Sequence, residues 1–439
     1  MGKRLIAILA LALIVGLTYG AAYAEVQNVK VSGDLAVLGV ARNQFDLTKG
    51  VDTNKYDDSE SYFATITRVR FDADLTDNVL VTLRLINERN WNTETVSNTD
   101  IDLDLAYVTL KEFLYSPLSI TLGRQELKYG NQLVMGSAGT AATIVRNGLS
   151  TDLSIRHAFD AIKATLNYDP LVIDAFYAKI DSNNARGDEN DDVDLYGIYS
   201  TYDIKKNLSA DAYVLYKNDS NGDKNDKVYT LGTLIKFAPL EDLKTSVEAG
   251  LQFGNRRNVP SASNDKRFAY ALQAIADYTF SKIKMTPMIG ASYTLLSGDK
   301  ETNLGKNAWD PMYYNQSLNN IAYAIIPFSN LSVINIKGSV KPMEDVTVSL
   351  NYGWYRRAKA NEAAMASPAC DGDGDLYNAS YDMNGKKDLG NSIDLSVVYD
   401  YTEDVQLGVT AGWFKPGEAF KENNRRDATQ LIGSMKVAF

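Results

Sequence analysis

Residues 63 to 75 read FATITRVRFDADL, and the spacing of their side chains decides the fold. Phe63, Val69, Phe71 and Leu75 share one parity, while Arg68, Arg70, Asp72 and Asp74 share the other. Successive side chains of an extended strand point to opposite faces, so this stretch has one apolar face and one charged face. If the apolar face meets lipid, the charged face lines a lumen.

The same division recurs along the chain. Val247, Ala249, Leu251 and Phe253 fall on an outer parity, with Ser246, Glu248, Gln252 and Arg256 on the inner one. Val346, Val348, Leu350, Tyr352 and Trp354 are likewise outer, with Ser349, Asn351 and Arg357 inner. A soluble sandwich does not put charges on this many inward faces. The connections alternate between short and long. Asp77-Asn78, Ser116-Pro117, Asp169-Pro170, Lys205 to Asn207, Pro239 to Asp242, Ser281-Lys282, Pro342 to Asp345 and Glu403-Asp404 are tight-turn sequences. Stretches near 43–60, 90–100, 130–150, 181–192, 218–227, 256–266, 298–327, 358–389 and 415–426 are long and polar. Eight short and nine long connections join 18 strands. The expected fold is therefore an all-β, antiparallel, up-and-down transmembrane barrel of 18 strands, with short periplasmic turns and long extracellular loops. Tyr177, Tyr278, Tyr352, Trp354, Tyr401 and Trp413, near strand ends, are expected in the interfacial girdles. The last strand alternates Leu431, Gly433, Met435 and Val437 and ends on Phe439, which resembles the signal read by the outer-membrane assembly machinery.

Composition and the N-terminus agree with this reading. Lys3 and Arg4 precede an apolar run from Leu5 to Leu17, and Ala22-Tyr23-Ala24 is a small-x-small site. The pattern predicts a secretory signal peptide over 1–24 and a single barrel domain over 25–439. The apolar run falls short of the roughly 20 residues of a membrane-spanning helix. Tyr is abundant at 27 residues, and no linker composition marks a domain boundary. The net charge of -10 argues against a nucleic-acid partner. Cys370 alone makes no internal disulfide.

One strand breaks the pattern. Leu118, Ile120 and Leu122 set an outer parity that would aim Arg124, Glu126 and Lys128 at lipid, where an arginine costs about 2 to 4 kcal/mol. A bulge near Gly123 would return them to the lumen, and a bulge or equivalent register shift is expected there.

From this strand onward the chain resembles the alginate-export outer-membrane porins. The matching segments are Gly123 to Leu127 with Tyr129-Gly130, Ala158 to Ala161, Ser297 to Asp299, Trp309 to Tyr313, Gly390 to Asp394, and Trp413 to Gly417. The resemblance implies an 18-stranded, monomeric barrel whose electropositive, loop-constricted channel passes an anionic sugar polymer. The inward-parity charges nevertheless include both signs, so a general pore for hydrophilic solutes stands beside the polyanion path.

The residues expected to line the path are Arg68, Arg70, Arg84, Arg124, Lys163, Arg256, Arg267 and Arg357, with the first four as a basic ladder. Each also has a plainer reading as a cross-strand ion pair that stiffens the wall. The loops at 298–327 and 358–389 are expected to narrow the mouth. No cofactor is expected. Asp371, Asp373 and Asp375, with intervening glycines, offer oxygens of the kind a Ca²⁺ loop uses, although no glutamate follows at EF-hand spacing. The plainer reading is a solvated acidic loop facing divalent-rich lipopolysaccharide, which with outer-membrane lipid is the expected surrounding partner. An enzyme is not expected. His157 is the sole histidine, beside Arg156 and Asp160, and reads as a polar rim residue. A plugged barrel acting structurally or as an adhesin, with its function in the loops, is the remaining alternative.

Overall fold

A strand in lipid has no water to satisfy its backbone, so the ladder of hydrogen bonds must close on itself. The computed structural model describes residues 28–48, 59–91, 101–138, 149–182, 192–220, 226–258, 263–300, 306–317, 320–366 and 380–439, and in these the ladder closes. The signal segment expected over 1–24 and the Ca²⁺ candidates Asp371, Asp373 and Asp375 lie outside the described residues.

The strands are β1 (Asn28–Asn43), β2 (Ser59–Thr76), β3 (Val79–Asn90), β4 (Asp102–Leu110), β5 (Leu118–Glu126), β6 (Ala158–Asn167), β7 (Leu171–Ser182), β8 (Asp192–Lys205), β9 (Leu208–Asp219), β10 (Asp226–Leu240), β11 (Leu243–Asn258), β12 (Ser263–Thr279), β13 (Met288–Leu296), β14 (Leu331–Met343), β15 (Val346–Arg357), β16 (Met365–Ala366), β17 (Ser380–Tyr381), β18 (Asp388–Asp400), β19 (Val405–Pro416) and β20 (Ala428–Ala438). A short helix, α1 (Asn320–Ile325), precedes β14. Eighteen strands form one antiparallel sheet in chain order, and β16 and β17, between β15 and β18 in the chain, pair with each other apart from it. The ring shuts where β1 meets β20, from Asp34 opposite Ala438 to Asn43 opposite Thr429. Phe439 continues that seam by exchanging two backbone hydrogen bonds with Gly33.

The outer face carries the apolar parity read from the sequence. Phe63, Leu251, Leu350 and Leu431 are exposed on it. Across β7–β12, Tyr177, Tyr196, Tyr216, Tyr229, Phe253 and Phe268 stand opposite one another in a single register row. The rings of Tyr216 and Tyr229 stack at 4.5 Å, and those of Tyr229 and Phe253 at 5.5 Å.

The expected register shift at Gly123 is not found. Pairing runs unbroken from Leu122 through Arg124 on both sides, with Arg124 opposite Ala106 and Asp160. Gly123 is nonetheless distorted, at φ 118°, and a Cβ there would lie 2.2 Å from the carbonyl oxygen of Ala106. Arg124 therefore keeps the outer parity of Leu122 and Ile162, where it is paired with Asp160 at 3.0 Å near the end of a nine-residue strand. Glu126 turns inward only where β4 has stopped pairing, and there it accepts a hydrogen bond from Arg84 at 2.8 Å.

Candidate solute path

The inner-wall arginines are held by neighbouring carboxylates. Arg68 binds Asp34 at 2.9 Å and Arg70 binds Asp72 at 2.7 Å. Arg84 is buried between Asp104 at 2.6 Å and Glu126 at 2.8 Å. Arg267, also buried, reaches Asp226 at 3.3 Å and Asp310 at 3.7 Å. Lys163 stands 3.9 Å from Asp174, and Arg256 lies near the extracellular end of β11. Arg357 has a different partner: its guanidinium donates to the carbonyls of Asn361 at 2.7 Å and Ala363 at 3.4 Å, tying down the chain beyond β15. Arg124 is on the outer face and is not brought together with the rest. An ion pair presents a much weaker field than a free cation, so most of these residues brace the wall.

Two loops turn into the barrel and narrow it. The first joins β5 to β6. Its segment Leu149–His157 lies along the inner face of β1–β3, because that face is apolar at Leu38, Val40, Ala64 and Ile66, against which Leu149 and Leu153 pack. Polar contacts fix its position. Arg42 binds Asp152 at 2.5 Å, and Arg156 binds Glu88 at 3.0 Å and Asp102 at 2.5 Å. Glu88 also accepts from the amide of Ile155 at 2.8 Å.

The second loop joins β13 to β14, as expected for 298–327. Asp310 is clasped by Lys217 at 2.6 Å and Arg267, and Gln252 bonds both its amide and its carbonyl at 2.8 Å. Burial alone would push the Asp310 carboxyl up, but the two cations hold it down at about 2. Trp309 is fully buried over Gly250, where a Cβ would sit 2.8 Å from the indole ring. Further along, α1 rests on β18 and β19: the amide of Asn320 donates to Asp394 at 2.7 Å, and Ile321 fits over Gly412.

The loops also bind each other in mid-lumen. The amides of Gly136 and Ser137 donate to the carbonyl of Tyr313 at 2.7 and 3.0 Å, and Tyr313 donates back to Val134 at 3.0 Å. Below this junction an inner stack of Phe176, Tyr129, Tyr199 and Tyr213 fills the β7–β10 side, with ring separations of 5.5, 4.5 and 5.5 Å. The hydroxyls of Tyr129, Tyr199 and Tyr213 donate to Asp174, Asp211 and Glu248.

Open space remains on the opposite side. A cavity of about 350 Å³ lies between the two loops and the wall formed by β1, β19 and β20. Asn315, Ser317, Asn320, Thr410, Gln430 and Ser434 supply amides and hydroxyls to it, and Arg156, His157 and Lys436 supply basic groups. A second cavity of about 230 Å³, reaching Phe328 and Ser329, shares Thr151, Asp152 and Tyr323 with the first. Lys436 is exposed and has no ion-pair partner among the described residues. His157 bonds Ser137 at 2.9 Å, and burial, with Lys128 nearby, lowers its pKa from the ordinary 6.5.

A family model described as alginate export matches residues 29–434. This chain belongs to the alginate export family. It is an outer-membrane β-barrel channel and not an enzyme. Solved barrels from Pseudomonas aeruginosa share the fold of this alginate export family member at low identity. OpdL is 11% identical with a TM-score of 0.57, covering 94% of this chain and 99% of that one. OccK11 (OpdR) is 11% identical with a TM-score of 0.56, over 94% and 97%. OpdK, solved with vanillate, is 10% identical with a TM-score of 0.54, over 93% and 99%. Among proteins of curated function, none matches the sequence significantly.

Sequence reasoning passed over two residues that matter here. Lys436 and Arg42 have inward parity on β20 and β1, and the outward run Leu431, Gly433, Met435, Val437 already implied it for Lys436. The inward course of the loop after β5 had no signal in the strand pattern.

Proposed function

We propose that this channel passes a hydrophilic, anionic saccharide along the wall formed by β18–β20 and β1. The observation that carries this reading is the cavity lined by amides and hydroxyls with Lys436 as an unneutralised cation. Sugar hydroxyls both donate and accept, as do serine, threonine, asparagine and glutamine side chains, so a saccharide can exchange partners as it moves. A carboxylate on the sugar meets Lys436. Conduction requires binding that is favourable yet weak and repeated, and many small neutral contacts beside a lysine such as Lys436, which has no ion pair among the described residues, suit it better than a row of strong arginine sites.

The ion pairing of Arg68, Arg70 and Arg84 favours a second reading, a passage without charge preference. One experiment separates the two: single-channel conductance and reversal potential in a salt gradient, with and without oligomeric uronates, for the wild type and Lys436→Ala. Anion preference with uronate block, both diminished in the variant, supports the anionic saccharide. Conductance without preference or block leaves the general pore, and absence of conductance sinks both.

A further inference from the structure

The outer face holds a charged feature that the solute path does not use. One step beyond the aromatic row, on the same parity and toward the extracellular strand ends, Lys227 of β10 stands opposite Asn255 of β11, and Asn255 stands opposite Lys266 of β12. Neither lysine has an ion-pair partner among the described residues. Lys179, on the outer face of β7, differs in being held by Asp192 and Asp194. At the periplasmic strand ends outward positions such as Val29, Val31, Leu118, Ile120 and Ile289 are apolar, while Lys205 stands at a register shift.

We propose that Lys227, Asn255 and Lys266 form a docking site for the phosphorylated headgroup of a lipid in the outer leaflet. Strands two apart in a sheet are separated by about 10 Å, a gap that two lysine side chains can close onto one phosphate, with the Asn255 amide between them. Directly below, Tyr229, Phe253 and Phe268 are exposed as a platform for acyl chains and the headgroup boundary. The occupant follows from the place: the site opens sideways from the barrel wall, where lipid is the neighbour, and it is cationic directly above an aromatic row.

The purified barrel in detergent micelles, mixed with diphosphorylated lipid A or its dephosphorylated form, provides the test by native mass spectrometry. The wild type should retain the phosphorylated lipid about tenfold or more strongly than the Lys227→Ser, Lys266→Ser double variant, and lysine-to-arginine replacement at both should preserve retention. Unchanged single-channel conductance in the serine variant verifies its fold. Equal retention by wild type and serine variant, or of the dephosphorylated lipid, would overturn the site. Binding of inorganic phosphate with the same affinity would overturn the lipid assignment.

Discussion

The two sides of this lumen are built from the same wall and end in opposite states. On the β7–β12 side, inner glycines leave room for large rings, and Tyr213, Trp309 and the Phe176–Tyr129–Tyr199 stack fill the space. On the β18–β20 and β1 side the inner positions carry small polar groups, among them Ser396 bonded to Thr410 at 3.0 Å, and a cavity remains. A barrel of this size does not become a pore by strand count alone. Its loops choose which side stays open, and they choose by where they can be anchored.

Releasing the anchor on the filled side should have the largest effect. Removing one member of a buried ion-pair cluster costs about 3 to 5 kcal/mol, so Asp310→Ala, which strands Lys217 and leaves Arg267 with Asp226 alone, should free the second loop. Larger and noisier single-channel conductance is expected, with faster proteolysis of the loop; unchanged conductance would mean that the loop is held elsewhere. A smaller effect comes from Gly250→Val, which collides with the Trp309 ring at a cost of about 1 to 3 kcal/mol. The variant should lower the unfolding midpoint and widen the conductance distribution. Gly433→Ala is the matching control, since nothing lies within 4 Å of a Cβ there, and it should leave both measurements unchanged.

The smallest effect separates the two sides by pH. The docked His157 is favoured neutral because its pKa lies below 6.5. Above that pH protonation contributes nothing to docking of the Leu149–His157 segment. As the pH falls below 6.5 the released segment takes up a proton that the docked one does not, so docking weakens until the lowered value is reached. Open-channel noise should rise over that window in wild type and stay flat in His157→Gln, while the Asp310 clasp, with its carboxyl held at about 2, should not respond there.

Much of the wall was legible because lipid and lumen impose a period of two on every strand. FATITRVRFDADL already separates Phe63 and Phe71 from Arg68 and Arg70, and the turns supply the count. Arg124 misled for a physical reason: a charged residue on the lipid parity suggests a parity flip, but a partner on the adjacent strand, Asp160, removes the need for one. The site was less legible. Parity tells which way Arg84 points but not that Asp104 and Glu126 neutralise it, since that depends on a neighbour two strands away and on a register irregularity in β4. The inward loops were hidden for a related reason, because their anchors, such as Asp152 with Arg42, join residues 110 positions apart.

The seam between β1 and β20 has a consequence for assembly. Arg42 and Gln430, hydrogen-bonded at 2.9 Å across it, are 388 positions apart, so the contact that shuts the ring joins nearly the two ends of the chain. The other strand pairs form between chain neighbours, and each shortens the free path left to the last. Until that final pairing, two long edges with unmet backbone groups face each other across a gap, each a template for a foreign strand. Once the ring is shut, Gly33 and Phe439 exchange two backbone hydrogen bonds at the end of the seam, so the pairing extends one step past Asp34 and Ala438 and leaves no template for a foreign strand there.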